Sequence, residues 1–169
     1  MKRYSMKKIA VFVDVQNIYY TVKDTFGCNF NYRKLWDNLS AEGEIVVANA
    51  YAIDRNDSQQ RGFQKALDSI GFQVKLKPFI QRSDGSAKGD WDVGITIDVM
   101  DSVAAIEEPI DTLVLLSGDG DFDRLLTRVS QEKTIETVVY GVENLTAKSL
   151  IDAADIFEPI DENLLLKNK

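Results

Sequence analysis

The stretch LVLLSGDGDFDRLL, Leu113–Leu126, sets Ser117, Asp119, Asp121 and Asp123, with Gly118 and Gly120, between two apolar runs. The first run is short and rich in branched side chains, as a buried strand requires; the second has helical spacing. A strand-to-helix turn accounts for the glycines. Asp119, Asp121 and Asp123 have two readings. They begin an acidic helix, where carboxylates meet the helix dipole, or they belong to a site assembled with acids from elsewhere.

Working outward, the same strand-then-helix alternation recurs on both sides. Lys7 to Asp14, KKIAVFVD, reads as a buried strand followed by a helix, NIYYTVKDTF. Asn29 or Asn31 caps a short helix, YRKLWDNL, which leads into a second strand from Glu44 to Ile53. A helix closed by Gly71 follows, then the strand FQVKLKPF, whose alternation and Pro78 place it towards a sheet edge. Beyond the Gly- and Ser-rich loop Ile80 to Asp90, a helix is expected over WDVGITIDVMDSVAAIEE. DTLVLLSG is the fourth strand, DFDRLLTRVSQE its helix and TIETVVYG the fifth strand; AKSLIDAAD and IFEPI supply a last short helix and strand. Repeated strand–helix units joined by right-handed crossovers predict one three-layer α/β/α domain over residues 1–169 with a mostly parallel central sheet. Its core runs from about residue 7 to 160.

Composition narrows the chemistry. Hydrophobic residues at 44% and charged ones at 28% fit a globular chain. No apolar run approaches the roughly 20 residues of a membrane span. The basic opening resembles a signal peptide, but its short apolar segment ends in Asp14; a cytoplasmic location is expected. A single cysteine, Cys28, excludes an internal disulfide and a cysteine-rich zinc site. There are no histidines, which removes the usual general base and every Ser–His or Cys–His device. If the chain does chemistry, carboxylates with a hard metal ion are the expected means. A net charge of −7 argues against a wide electrostatic footprint on nucleic acid, while leaving room for a small basic surface beside an acidic site.

In open α/β sheets the reactive crevice lies beyond the carboxyl ends of the strands. There the first strand delivers Asp14 and the fourth delivers Asp119 and Asp121, while Asp92 falls in the first turn of the helix after the long loop. Carboxylates gathered in one crevice repel one another unless cations bind, so a shared Mg²⁺ or Mn²⁺ site is the natural reading. Taken singly, each acid also suits a turn or helix cap. Asp98, six residues after Asp92, falls about 120° away round the helix axis and is the weaker metal ligand.

VFVDVQN, KGDWDVGITIDVM and LLSGDGDF, in that order, together with the ending AKSLIDAADIFEPI, resemble the NYN domain, the LabA-like branch of the PIN-like nuclease superfamily. The resemblance spans about Lys7 to Ile160. It implies a PIN-like sheet with central strands ordered 3-2-1-4-5 and a ribonuclease site that uses Mg²⁺ or Mn²⁺. It assigns Asp14 and Asn17 to the first motif, Lys88, Asp92 and Asp98 to the second, and Ser117, Asp119 and Asp121 to the third. Asp90 and Trp91 intervene between the glycine and Asp92, leaving open which acid points inward; helical phase favours Asp92.

On this reading Asp14, Asp92, Asp119 and Asp121 hold metal and activate water for hydrolysis of single-stranded RNA. Asn17 donates to a phosphate oxygen or a metal-bound water, Ser117 does the same or fixes its turn, and Lys88 contacts phosphate. Arg55, Arg61, Lys65 and Arg82 are further cations for a substrate track, and Tyr19, Tyr20, Tyr51 and Trp91 are aromatics that could stack on bases. The alternative is a regulatory or scaffold domain that uses the same acidic pocket to bind a protein or RNA partner. A phosphomonoesterase with a phospho-aspartate at Asp14 ranks below both, because Gln16 stands where its second acid is required.

Overall fold

The computed structural model describes residues 6–78, 80–81, 87–88, 90–132 and 134–167; for 80–81 and 87–88 it describes the backbone alone. The basic opening at residues 1–5 and Arg82 lie outside the described residues.

Among these residues a parallel sheet runs through six strands: β1 (Lys7–Asp14), β2 (Gly43–Asp54), β3 (Gln73–Pro78), β4 (Thr112–Leu116), β5 (Glu136–Gly141) and β6 (Ile156–Pro159). Their spatial order is 3-2-1-4-5-6. The first five match the expected central order, and β6 extends the sheet at the edge beyond β5. The half-polar β3 forms the opposite edge, where Pro78 removes no interior ladder bond.

Helices cover both faces because alternate residues of β1 point in opposite directions. Val11 and Val13 bury against α1 (Val15–Phe26), α2 (Tyr32–Glu42) and α3 (Ser58–Ile70), through Ile18, Leu35 and Leu67. Ala10 and Phe12 bury on the other side against α4 (Asp92–Ala104), α5 (Asp123–Ser130) and α6 (Lys148–Ala153), through Ile95, Val99, Leu126 and Leu150. A central strand with both faces covered reads as a continuous apolar run, which is what AVFV shows.

Helix ends follow local chemistry. Asn31 caps α2 by accepting the Lys34 N–H at 3.0 Å, and Asp57 caps α3 by accepting the Gln60 N–H at 2.7 Å. Gly71 closes α3 at φ 135°, with its Cα hydrogen facing the Trp36 ring, so any side chain there would be strained and would clash.

α4 and α5, like the last helix α6, are shorter than their patterns suggest. α4 stops at Ala104 rather than running to Glu108, since Ile106 is 91% exposed and Pro109 disfavours helical backbone just before it. The helix expected from Asp121 begins as one 3₁₀ turn, Gly120–Phe122, and becomes α-helical only at Asp123. A short antiparallel ladder not expected from sequence joins Asn29–Phe30 to Leu165–Leu166. Among the described residues, no helix is long and apolar enough to cross a membrane.

Candidate metal centre

β1 and β4 are neighbours, with Val13 opposite Leu116, so the residues that follow them emerge side by side. Asp14 is the last residue of β1 and precedes the first turn of α1. Ser117, fully buried just after β4, donates its hydroxyl to Asp14 Oδ2 at 3.1 Å and accepts the Asp119 N–H at the same distance. The Asn17 side chain accepts the Gly118 N–H at 2.8 Å, tying α1 to the turn. Gly118 is required there, because a Cβ would sit 2.6 Å from the Leu145 carbonyl oxygen. Asp119 Oδ1 then accepts the Asp121 N–H at 2.9 Å, which starts the 3₁₀ turn.

Asp92 reaches the same crevice from α4. Its N–H donates to Asp90 Oδ1 at 3.2 Å, and the preceding Trp91 fixes the start of the helix. The Trp91 indole donates to the Ala52 carbonyl at 2.9 Å and leans on the Tyr51 ring, with centroids 5.2 Å apart. Gly94 makes room for this: a Cβ on it would lie 2.6 Å from the indole. Lys77 Nζ lies 4.5 Å from the Trp91 ring centroid and donates to the Asp90 carbonyl at 3.0 Å. The glycine in the first turn of α4, unfavourable by propensity, is thus set by packing.

The outcome is a trio. Asp14, Asp92 and Asp119, all half-buried, each offer a carboxylate oxygen, and these oxygens lie within 4.8 Å of one another. Burial pushes Asp14 up to about 6, and the charges of Asp119 and Asp90 add to it, against the Ser117 hydroxyl and the nearby Asn17 N–H. Burial also leads the rise of Asp92 to about 7, followed by the charge of Asp119, a side-chain hydrogen bond to it, and the charges of Asp90 and Asp14. Acids that resist ionisation because they are buried and crowd one another are relieved by a cation. An all-oxygen, multiply charged donor set fits a hard divalent ion such as Mg²⁺ or Mn²⁺.

The other sequence-selected residues stand elsewhere. Asp121 is exposed and outside the trio, contributing its backbone N–H to the turn. Asp98 also lies outside it. Asp98 accepts from Lys75 Nζ at 2.7 Å and from the Tyr51 hydroxyl at 2.8 Å, and Asn49 Nδ2 donates to the same hydroxyl at 3.1 Å. Burial pushes the Asp98 carboxyl up, but the Lys75 and Tyr51 bonds with the Lys75 charge outweigh it, so the net direction is down. The reason is helical phase: one-third of a turn from Asp92, Asp98 faces β2 and β3. Asp90 adjoins the trio through its charge and caps the backbone of Asp92.

Ser117 and Asn17 bond within the loop. The backbone of Lys88 pairs with Ile80 in a short antiparallel ladder, and its side chain lies outside the described residues. Tyr51 is buried under Trp91 rather than open to a base. Lys75 and Lys77 were not singled out from sequence, although their spacing of two in FQVKLKPF was the available signal, since it puts both on one face of β3.

Comparison with known proteins decides the relationship. The NYN domain family model matches residues 8–161. This chain belongs to the NYN domain family. The NYN chain is 31% identical to the low amplitude and bright protein LabA of Synechococcus elongatus over 163 residues, covering 92% of this chain and 84% of that one. It also superposes on the crystal structure of a protein of unknown function from Vibrio parahaemolyticus, with TM-score 0.88 and 49% identity over 98% of this chain and all of the other. The matched NYN segment contains each acid of the trio.

Proposed function

We propose that this NYN domain is a metal-dependent ribonuclease that hydrolyses phosphodiester bonds of single-stranded RNA. The observation that carries the reading is the trio of Asp14, Asp92 and Asp119, whose oxygens lie within 4.8 Å of one another beyond the carboxyl ends of β1 and β4. Asp14, Asp92 and Asp119 would hold one Mg²⁺ or Mn²⁺ ion, or two bridged ones. When bound, such an ion supplies positive charge that acidifies water and offsets the charge of a phosphodiester.

The protein's own contribution is orientation. Ser117 aims Asp14 by donating to Oδ2 and holds the Asp119 backbone through the same oxygen. Asn17 locks the turn between them, so the carboxylates need little rearrangement when a cation arrives. Trp91 fixes the helix start that carries Asp92. Lys77 places an ammonium beside Asp90 and Trp91, and Lys88 follows in sequence within the loop that leads into α4. Both are phosphate-binding residues in this reading. Asp121 enters as an acid at the rim.

The test is incubation of purified protein with end-labelled single-stranded RNA, with and without Mn²⁺ or Mg²⁺, beside Asp14→Asn. Metal-dependent cleavage by the wild type and its loss in the variant are expected. Cleavage that survives both chelator and Asp14→Asn would overturn the proposal.

A further inference from the structure

On the face of the sheet covered by α1 and α3, reaching the residues that follow Asp14, lies a groove of about 670 Å³. Val15 and Gln16, which directly follow Asp14, form its near end. Its volume is in the range of small-ligand sites, roughly 300–1,000 Å³. We propose that this groove holds a base of single-stranded RNA next to the phosphate at the trio; the proposal rests on the ribonuclease reading and names the part of the substrate that the acids do not touch.

Two features favour a base. The first is an aromatic lining that is already set. Tyr32 is buried, and its ring meets those of Phe30 at 4.9 Å and Phe63 at 5.8 Å, both edge to face. Against this floor Tyr19 and Tyr20 are each 50% exposed, and their rings stand at 78° to one another, so each presents a face in a different direction. Half-exposed tyrosines lining the same groove as an aromatic cluster form a stacking platform, and stacking accepts any base because every base has a π-face. A fully apolar occupant would make no use of the polar side chains of Tyr19 and Gln59 that line the groove.

The second is charge. The chain carries a net −7, yet Arg33 and Arg55 both line this groove. Arg55 donates to the Tyr20 hydroxyl at 3.3 Å, which sets a guanidinium at the edge of the platform. The lining acid, Asp57, has its carboxylate engaged as the cap of α3. Aromatic faces flanked by arginines, in a groove whose lining includes the two residues that follow Asp14, complement a polyanion with stacking bases.

The experiment measures binding of a fluorescently labelled RNA oligonucleotide in chelator, so that no cleavage occurs, against the same oligonucleotide with abasic sites. Wild type, Tyr19→Ala/Tyr20→Ala and Tyr20→Phe are compared, each checked for an unchanged melting curve. Loss of two stacking faces should weaken binding of the normal RNA about tenfold or more. It should leave the abasic RNA unaffected, and Tyr20→Phe should bind like wild type within about threefold. In the cleavage assay the double variant should raise KM with kcat preserved.

Equal affinity of the wild type for normal and abasic RNA overturns the proposal, as does an unchanged affinity in the double variant or no RNA binding at all. Should the double variant not fold, the wild-type comparison of the two oligonucleotides decides alone. The two readings fail separately. Cleavage without base-dependent binding removes the groove and keeps the nuclease, whereas base-dependent binding without cleavage in any metal keeps the groove and removes the nuclease.

Discussion

Ser117 and Asp14, 103 residues apart in sequence, share a hydrogen bond of 3.1 Å at the ends of two adjacent strands. The serine is fully buried and its oxygen also accepts the Asp119 N–H, so one hydroxyl sets the relation between two of the three acids. Ser117→Ala removes both bonds at once. It should destabilise the protein by about 1–3 kcal/mol, because the half-buried Asp119 N–H and Asp14 carboxylate each lose a partner. The hydroxyl lowers the pKa of Asp14, so the variant should also need a higher pH to bind metal. Denaturant unfolding and a metal titration at several pH values check the two effects; a variant that melts and titrates like wild type would leave Ser117 as filler.

Stability without metal should fall as pH rises. Asp14 has its pKa raised from 3.8 to about 6, and Asp92 from 3.8 to about 7. A carboxyl with a raised folded-state pKa holds its proton more tightly in the native state. Its contribution is therefore complete below 3.8 and is lost as pH climbs through 6 and 7. For Asp14 this amounts to an order of 2–3 kcal/mol. Chelated protein should melt at a lower temperature at pH 8 than at pH 5, and Asp14→Asn should flatten the trend and raise the melting temperature at pH 8. A steeper pH dependence in the variant would contradict the crowding of these acids.

Divalent metal should reverse that loss. At a hundred times its dissociation constant an ion bound to the native state alone adds about 2.7 kcal/mol. Mn²⁺ or Mg²⁺ at pH 8 should raise the melting temperature of the wild type and do so far less in Asp92→Asn or Asp119→Asn. Asp121→Asn should respond like wild type, since that side chain is exposed and lies outside the trio.

Asp98 should behave as an anchor. Its bonds to Lys75 and Tyr51 tie α4 to β2 and β3, and the same helix carries Asp92. Asp98→Asn should lower stability by about 1–3 kcal/mol, as expected for a partly buried, hydrogen-bonded ion pair. Metal affinity should change by less than about threefold, compared with the 10–100-fold that removing a group which orients a ligand directly can cost. Lys75→Met should reproduce the stability loss, and the double variant should fall short of the sum. A loss of metal binding equal to that of Asp92→Asn would instead make Asp98 a ligand.

Gly94→Ala sets two effects against each other. Alanine favours an α-helix by about 1 kcal/mol over glycine. Its methyl group would meet the Trp91 ring at 2.6 Å, and overpacking of this kind costs about 1–3 kcal/mol. The indole cannot move without leaving the Ala52 carbonyl and the Tyr51 ring. Net destabilisation, a shifted Trp fluorescence spectrum and weaker metal binding are expected. A stabilised variant would mean that the indole is free to swing aside.

Several features of this molecule are local and could be read from the chain itself. Continuous apolar runs such as AVFV, the alternation of FQVKLKPF, and the helix end at Gly71 depend on near neighbours, so they announce the strands, the edge position of β3 and a helix end, while the cap of α2 is narrowed to Asn29 or Asn31. The motifs around Asp14, Asp92 and Asp119 likewise marked the acids that meet. Tertiary packing decided the rest. Asp121 is two residues from Asp119, but a 3₁₀ turn in place of regular helix leaves it exposed. Asp98 is on the same helix as Asp92, but the partners that claim it, Lys75 and Tyr51, come from two other strands. Gly94 reads as a flaw in a helix until the Trp91 ring is seen against it. Periodicity fixes which way a side chain points relative to its own element; only the approach of other elements determines what it meets there.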